Sequence, residues 1–219
     1  MTRFARIYIL AIIFLTTGCA EVRTSVTTFY TSDHLARGPI VGVPLDAQQA
    51  NSLEFGHARD ILYNKLSEIG YAPNPSGAGS QFAFFVTYGV DSGRTATSAV
   101  PIFGQTGGST SYSSGTISHG GMPSASYSGT TTTMPTYGII GAIPVSNRVF
   151  TRHVNIDIYK LSDPPQKIYE IRAVSAGTCA NISAVLPLIV DGIFKNFPPP
   201  KNGTPVTVDV PADDLRGKC

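Results

Sequence analysis

The chain has 219 residues, with 16 Lys or Arg and 14 Asp or Glu, which gives a formal net charge of +2. Only 14% of the residues are charged and the basic ones form no cluster. The composition therefore excludes the electrostatic footprint of a nucleic-acid-binding protein and a polybasic patch for anionic lipid. The length is compatible with one domain, or with one domain and a flexible part.

The N-terminus has the three parts of a secretory signal peptide. Arg3 and Arg6 supply a short positive segment, residues 7–15 are an uncharged apolar run, and small residues lead to Cys19. The run is too short for a permanent membrane-spanning helix, which needs about 20 residues. A buried N-terminal helix or strand is the alternative, but the order of charge, apolar run and small residues favours a signal peptide over residues 1–18.

Residues 15–19, Leu-Thr-Thr-Gly-Cys, resemble the lipobox that lipoprotein signal peptidase recognises. They depart from it at Thr16, where Leu is usual. We expect cleavage before Cys19 and lipid attachment to Cys19, so that residues 19–21 form a lipidated N-terminus bound to a membrane. Resemblance to Gram-negative lipoproteins, with Ala20 rather than Asp after the cysteine, implies sorting to the outer membrane. We expect the periplasmic face, and the sequence leaves the choice of face open.

Cleavage changes both the charge and the set of available cysteines. The 219-residue chain loses 18 residues including two arginines, and the remaining 201 residues carry 14 basic and 14 acidic side chains. A mature chain of zero net charge offers no attraction for nucleic acid. Cys179 and Cys219 remain in a compartment where disulfides persist, and they are a candidate disulfide. The alternative is a buried thiol at Cys179 with a loose Cys219.

The first half of the mature chain predicts a strand, a helix and a second strand. Residues 22–30 are rich in β-branched and aromatic types and predict a strand, followed by a connector in which residues 40–43 can add a short strand. Apolar residues recur at helical spacing over residues 47–69, and Gly70 follows as a cap. Residues 82–90 predict a strand, whose nearly continuous apolar run indicates burial on both faces or an edge interaction.

The middle of the chain has an unusual composition. Residues 95–147 contain no Asp, Glu, Lys or Arg, a run of 53 residues, and 24 of the 35 residues in 104–138 are Gly, Ser or Thr. Such a sequence buries too little apolar surface to offset backbone ordering, which predicts a long flexible insertion with its flanks, 99–103 and 137–145, as a hairpin stem. With Tyr112, Tyr127 and Tyr137 spaced through it, the segment could order on a partner, a glycan or a second copy. A loop under little constraint is the alternative.

The last part of the chain predicts a hairpin and a second helix. Residues 148–161 alternate, which places Val154, Ile156 and Ile158 toward the core. A Pro-containing turn leads to a second strand over residues 167–176. A helix is predicted over residues 183–196, and residues 201–219 predict a polar tail in which residues 206–210 can be extended. Residues 22–200 thus predict a single two-layer α+β domain, with a mostly antiparallel sheet and two helices on one face.

This order of elements resembles the bacterial lipoprotein family catalogued as domain of unknown function 4136 (DUF4136). Besides the lipobox, the matching segments are residues 66–71, 82–88, 154–161 and 189–199. The resemblance covers most of residues 22–200. Members often have Trp in the hairpin, whereas this chain has no Trp and Tyr169 is the nearest aromatic substitute. The resemblance implies the fold and the lipid anchor, and it implies no activity, ligand or catalytic residue.

Motifs for catalysis or a cofactor are missing from the sequence. There is no Gly-x-Ser-x-Gly and no Walker sequence. The run Gly77-Ala78-Gly79 is followed by Phe82 where a dinucleotide-binding fingerprint needs Gly. We therefore predict no cofactor and no catalytic residue.

The histidines are dispersed over different elements, and no two stand at metal-ligand spacing on one of them (His34, His57, His119 and His153). A metal site is not predicted. His153 and Asp157 are expected to share a strand face, and His57 and Asp60 a helix face. Because no nucleophile accompanies either pair, both are interpreted as surface pairs.

Three functions are compatible with these features. The preferred one is a non-enzymatic, membrane-anchored envelope lipoprotein that binds another envelope protein or supports an assembly. The first alternative is an auxiliary lipoprotein that carries a lipid or other amphiphile between the sheet and its helices, and the second is an enzyme acting on the cell wall or on glycans. The sequence leaves the identity of the partner and the oligomeric state open.

Overall fold

The computed structural model describes residues 21–118, 120, 123–199, 201–215 and 217–219. The predicted signal peptide, the predicted lipid site Cys19, and His119 lie outside the described residues. The chain divides into two compact units. We call residues 21–94 with 148–219 the α+β unit and Thr95–Asn147 the hairpin unit. The hairpin unit spans the same residues as the charge-free segment.

The elements are numbered in chain order. The strands are β1 Glu21–Tyr30, β2 Pro39–Gly42, β3 Ala72–Pro73, β4 Phe82–Val90, β5 Arg94–Gly107, β6 Thr110–Ile117, β7 Ala125–Thr132, β8 Thr136–Lys160, β9 Gln166–Gly177 and β10 Val206–Pro211. The helices are α1 Ala47–Ala50, α2 Leu53–Glu68 and α3 Ile182–Phe194, and short 3-10 turns cover Ser32–Leu35 and Asp213–Leu215.

The α+β unit is built on one mixed sheet, with strand order β10-β1-β9-β8-β4-β2-β3. All neighbouring strands are antiparallel except β2, which pairs in parallel with β3 and β4. The predicted α+β class with a mostly antiparallel sheet is confirmed. The predicted hairpin of residues 148–161 and 167–176 is confirmed as the antiparallel pair of β8 and β9.

One face of this sheet forms the core. Val154, Ile156 and Ile158 of β8 are fully buried, as the alternation predicts. Helices α2 and α3 cover the same face, and their buried apolar side chains belong to one continuous cluster with the sheet (Phe55, Ala58, Leu62, Leu66, Val185, Leu186, Ile189, Val190 and Ile193). Burial of each large apolar side chain contributes about 1.5–3 kcal/mol. This packing fixes the two-layer arrangement.

The first predicted helix is divided in the structure. Residues 47–69 were expected to form one helix, but the chain leaves the helical conformation at Asn51 and Ser52. Ser52 has extended backbone angles and its hydroxyl accepts a hydrogen bond from the Phe55 amide, which makes it the N-cap of α2. Asp46 caps α1 by accepting from Gln49. Periodicity alone could not locate this cap, because the apolar spacing continues across it.

The C-terminal segment is part of the sheet, so the predicted domain end at residue 200 is wrong. Residues 206–211 form the edge strand β10, in register with β1 from Glu21 opposite Pro211 to Val26 opposite Val206. Val208 and Val210 are buried against the core face. These alternating valines supply the apolar face that keeps the segment on the sheet, which a polar tail would lack.

The hairpin unit, which was predicted as a long flexible insertion, contains regular strands. Strand β6 pairs with β7 in antiparallel register, and β5 pairs with β8. The predicted stem, residues 99–103 and 137–145, is confirmed within β5 and β8. Threonine and tyrosine favour extended backbone, which outweighs the Gly and Ser content in these strands. No helix in the described part of the chain is both long and apolar enough to span a membrane.

Candidate binding surface

The face of the sheet opposite the helices carries a second set of side chains. Because side chains alternate along a strand, Phe85 of β4 and Tyr159 of β8 point away from the buried Phe84 and Ile158. Their rings meet edge to face, with centroids 5.6 Å apart and planes at 85°. This aromatic pair forms the floor of an exposed surface.

A groove of about 530 Å³ lies over this floor. Its lining is largely apolar and comes from β2, β4, β8 and the segments that follow them (Val41, Val43, Leu45, Ala83, Phe85, Asp157, Tyr159, Leu161 and Pro165). Leu45 and Leu161 remain exposed. We call this the outer groove. An apolar groove with few polar groups is the usual form of a binding site for an apolar segment.

Four charged side chains form a closed ring beside the outer groove. Asp157 accepts from Lys167 at 3.0 Å and from Arg172 at 2.8 Å. Glu170 contacts the same two cations, at 3.3 Å from Lys167 and 2.9 Å from Arg172. Each charge therefore has two neighbours of opposite sign. The ring is neutral, and its members hold one another in fixed positions.

The electrostatics of the ring favour the charged form of Lys167. Burial opposes the charge of Lys167, but the hydrogen bonds and charges of Asp157 and Glu170 outweigh burial, so that the pKa of Lys167 lies above its ordinary value. The ammonium group also lies 5.5 Å from the centroid of the Tyr159 ring. Lys167 therefore connects the charged ring to the aromatic floor and stays positively charged in neutral solution.

A second groove, of about 480 Å³, lies where β1 and β10 meet the end of α3. Val26, Ile193, Pro198 and Val206 supply much of its lining. We call this the edge groove. Among the described residues, its lining has no charged side chain, and Thr28 and Asn196 supply its polar groups.

In the structure, the aspartates of the two His–Asp pairs considered from the sequence are bound to other side chains. Both carboxylate oxygens of Asp157 are engaged by Lys167 and Arg172, so Asp157 is not the partner of His153. Asp60 is paired with its neighbour Arg59, and not with His57. Neither pair has the geometry of a catalytic site. In the described part of the chain, no group of three His, Cys, Asp or Glu side chains is arranged to hold a metal ion.

The two cysteines of the α+β unit are joined in the structure. Cys179 and Cys219 form a disulfide, with Cα atoms 5.0 Å apart and a separation of 40 residues. The Asn181 side chain donates to the Lys218 carbonyl at 3.0 Å, beside the same connection. The C-terminus is thus tied to the start of α3, the first of the two alternatives for these residues.

The charged ring itself was not identified from the sequence. Strict alternation places Lys167 and Glu170 on opposite faces of β9, because they are three residues apart. An irregularity in the β8–β9 register at Ile158 and Tyr159 shifts the alternation, and Ile168 and Tyr169 are consecutive buried residues. The ring depends on that bulge. The one usable signal was the density of charge on the two sides of the predicted turn.

Comparison with known proteins gives a limited result. No family model matches the chain, and no curated protein matches it. A solved structure of a PDZ domain protein from Parabacteroides distasonis ATCC 8503 is similar, with a TM-score of 0.48 and 10% sequence identity over 94% of this chain and 43% of that chain. This chain therefore spans less than half the length of that protein. The resemblance to DUF4136 lipoproteins stays a prediction.

Proposed function

We propose that the mature chain is a non-enzymatic envelope lipoprotein, anchored through Cys19, whose α+β unit binds another envelope protein through the outer groove. The outer groove carries this proposal. It combines exposed apolar side chains with a neutral, internally paired ring of four charges. Interfaces between proteins typically have an apolar centre with a polar rim.

The chemistry of the surface favours binding over catalysis. The carboxylates of the ring are already paired with cations, and ionised carboxylates in such pairs are poor general acids. Aromatic side chains such as Phe85 and Tyr159 are frequent anchors of protein interfaces, because they bury a large area at low entropic cost. The outer groove accordingly suits an apolar segment of a protein partner.

The packing of the interior bears on the carrier alternative. A lipid carried between the sheet and the helices needs a chamber there. The side chains described at that interface, among them Phe84, Leu66 and Ile189, are fully buried against one another. This supports binding at the surface in preference to an internal chamber.

The position of the anchor is compatible with surface binding. Strand β1 begins at Glu21, two residues after Cys19. A lipid on Cys19 would hold the β1 end of the sheet close to the bilayer. Labelling of cells with an alkyne fatty acid tests this step: we expect label on the wild type and none on Cys19→Ala. Unlabelled wild type would contradict the anchor.

The binding step is tested by affinity purification after cross-linking in intact cells. The variants are Leu161→Glu in the outer groove, where Leu161 is 45% exposed, and Leu53→Glu on α2, where Leu53 is 93% exposed. We expect a reproducible envelope protein with the wild type and with Leu53→Glu, and its loss with Leu161→Glu at an unchanged melting temperature. The same recovered proteins from all three chains would contradict the proposed site.

A further inference from the structure

The hairpin unit presents an uncharged surface on which many large apolar side chains are exposed. None of its 53 residues is Asp, Glu, Lys or Arg. Large apolar side chains are exposed on all four of its strands (Val100, Ile102, Phe103, Tyr112, Ile117, Tyr127, Tyr137, Ile139, Ile140, Ile143 and Val145). Soluble proteins rarely expose so many large apolar side chains within one short segment without using them for interaction.

The strands of this unit also have open backbone edges. Within the described residues, β6 and β7 pair only with each other, and β5 pairs only with β8. The Thr97–Ser146 and Thr106–Thr136 contacts show that β5 and β8 run antiparallel. A two-stranded ribbon is marginally stable in water, and each open edge presents unpaired N–H and C=O groups to a further strand.

The edges of the α+β unit are protected in ways that the hairpin unit lacks. Strand β3, at one edge, has only two residues. Strand β10, at the other, carries Asp209, which is paired with Arg23 at 2.8 Å. Short length and charge are the usual protection against strand addition. In the hairpin unit the comparable features are Pro101 in β5 and Pro144 in β8, which remove one donor each and leave the rest of the edge available.

We propose that the hairpin unit is a self-association surface, on which the β5–β8 ribbon of one chain pairs edge to edge with that of a second copy. A surface that meets its own copy brings identical side chains near one another, so like charges must be avoided or paired. A surface without formal charge meets this condition at every register. Strand β5 has 14 residues, of which all but Arg94 belong to the hairpin unit, and at about 3.3 Å each these uncharged residues offer an edge of roughly 43 Å.

Pairing with a second copy accounts for both the exposed apolar side chains and the open strand edges of the hairpin unit. A lipid surface could take up the exposed apolar side chains, but it offers no hydrogen-bond partners for an open strand edge. A charged protein surface would gain nothing from a neutral ribbon. Strand pairing with another copy satisfies the backbone groups and covers the apolar side chains in one step.

The first test measures the oligomeric state of the full chain in mild detergent by sedimentation velocity. The double variant Phe103→Lys with Ile140→Lys adds charge to exposed positions of the hairpin unit, and Leu53→Lys is the matched control on α2. We expect the wild type and the control to be oligomeric. In the double variant the dissociation constant should rise about a hundredfold, because like charges meet across the interface. A monomeric wild type, or an oligomer unaffected by both lysines, overturns the proposal.

The second test does not depend on the folding of a charged variant. The photo-cross-linker p-benzoylphenylalanine replaces Phe103 in the hairpin unit or, as the control, Phe29 in β1, which is also exposed. We expect a covalent dimer of this chain from position 103 and none from position 29, identified by mass spectrometry. Adducts from position 103 only to a different protein or to lipid overturn the proposal. This result is independent of whether the outer groove binds a partner.

Discussion

The two units of this chain form the same kind of secondary structure from very different sequences. In the α+β unit, one face of the sheet is buried under α2 and α3, and all of the chain's Lys, Arg, Asp and Glu residues belong to this unit or to the N-terminus before it. In the hairpin unit, strands form without a charged residue and with their large apolar side chains exposed. A strand assignment therefore says little about what stabilises the strand.

The difference has energetic consequences. Burial of a large apolar side chain in the α+β unit contributes about 1.5–3 kcal/mol, and 25 buried apolar side chains larger than Ala or Cys act together there. Strands of the hairpin unit depend on backbone hydrogen bonds and on cross-strand side-chain pairs worth about 0.2–1 kcal/mol each. We expect the hairpin unit to open locally at lower free energy than the α+β unit, unless association with another strand stabilises it.

A pair of phenylalanine truncations gives the largest expected contrast between the units. Phe84 of β4 is fully buried, whereas Phe103 of β5 is 71% exposed. Phe84→Ala should lower the free energy of unfolding by about 3–5 kcal/mol, because it leaves a cavity in a packed core. Phe103→Ala should change it by about 0.5 kcal/mol or less, as for other exposed positions. Urea denaturation followed by circular dichroism measures both, and similar losses would remove the energetic distinction between the units.

Loss of the Cys179–Cys219 disulfide should have the next largest effect. The bond closes a loop over a separation of 40 residues, all within the α+β unit. Cys179→Ser with Cys219→Ser should lower the free energy of unfolding by about 2–4 kcal/mol, since the unfolded chain regains the entropy of that loop. Reducing agent should produce the same loss in the wild type. Two free thiols in the native protein by thiol titration would contradict the bond.

The contrast between the units also explains what the sequence could reveal. The alternation of residues 148–161 predicted the β8 segment that faces the core, because burial on one face imposes a period of two. The apolar stripe predicted α2 for the same reason. Where one face of a helix or strand is buried in the core, the sequence shows a periodic pattern of apolar residues. None of the described residues of the hairpin unit is buried, so composition alone suggested a flexible insertion, although the Thr and Tyr content favours strands.

The candidate site was less predictable than the fold. The charged ring requires Lys167 and Glu170 on one face, and the β-bulge that brings them together has no signature in one sequence. The break before α2 likewise depends on the Ser52 hydroxyl, one of many Ser residues in the chain. The edge strand β10 was missed as part of the domain because its partner β1 lies at the opposite end of the chain. Local sequence patterns do not reveal which distant segments pair with each other.

A pair of tyrosine substitutions should affect the free energy of unfolding at alkaline pH differently in the two units. Burial raises the pKa of Tyr71 to about 12. Its folded pKa exceeds the unfolded value near 10, so the folded state holds the proton more tightly. That stability is complete below pH about 10 and is lost as the pH rises to about 12, a difference of about 2–3 kcal/mol.

The control for this prediction is Tyr137→Phe in the hairpin unit, where the side chain is exposed. We expect Tyr71→Phe to flatten the alkaline decline in the free energy of unfolding, and Tyr137→Phe to leave it as in the wild type. Denaturant titrations between pH 9 and 12, a range set by the two values above, measure the decline. An equal decline in all three chains would show that Tyr71 does not contribute to it.

The smallest predicted effects distinguish paired from unpaired charge inside the α+β unit. Arg152 of β8 lies on the core face with 2% exposure, and its Nε has no hydrogen-bond partner among the described residues. Burial lowers the pKa of this guanidinium group, which means that the fold disfavours its charge. Arg172 of β9, on the opposite face, contacts both Asp157 and Glu170.

Arg152→Met and Arg172→Met remove the same type of side chain from neighbouring strands. We expect them to change the free energy of unfolding in opposite directions. Arg152→Met should stabilise the fold by about 1 kcal/mol, because it replaces a buried cation whose Nε has no partner among the described residues with an apolar chain of similar length. Arg172→Met should destabilise it by about 1 kcal/mol, because Asp157 and Glu170 lose a shared partner, and this loss should shrink as salt is added. Urea denaturation at low and high salt measures both. If Arg152→Met destabilised the fold instead, the guanidinium group of Arg152 in the wild type would have a partner that balances its charge. Both arginines would then stabilise the α+β unit.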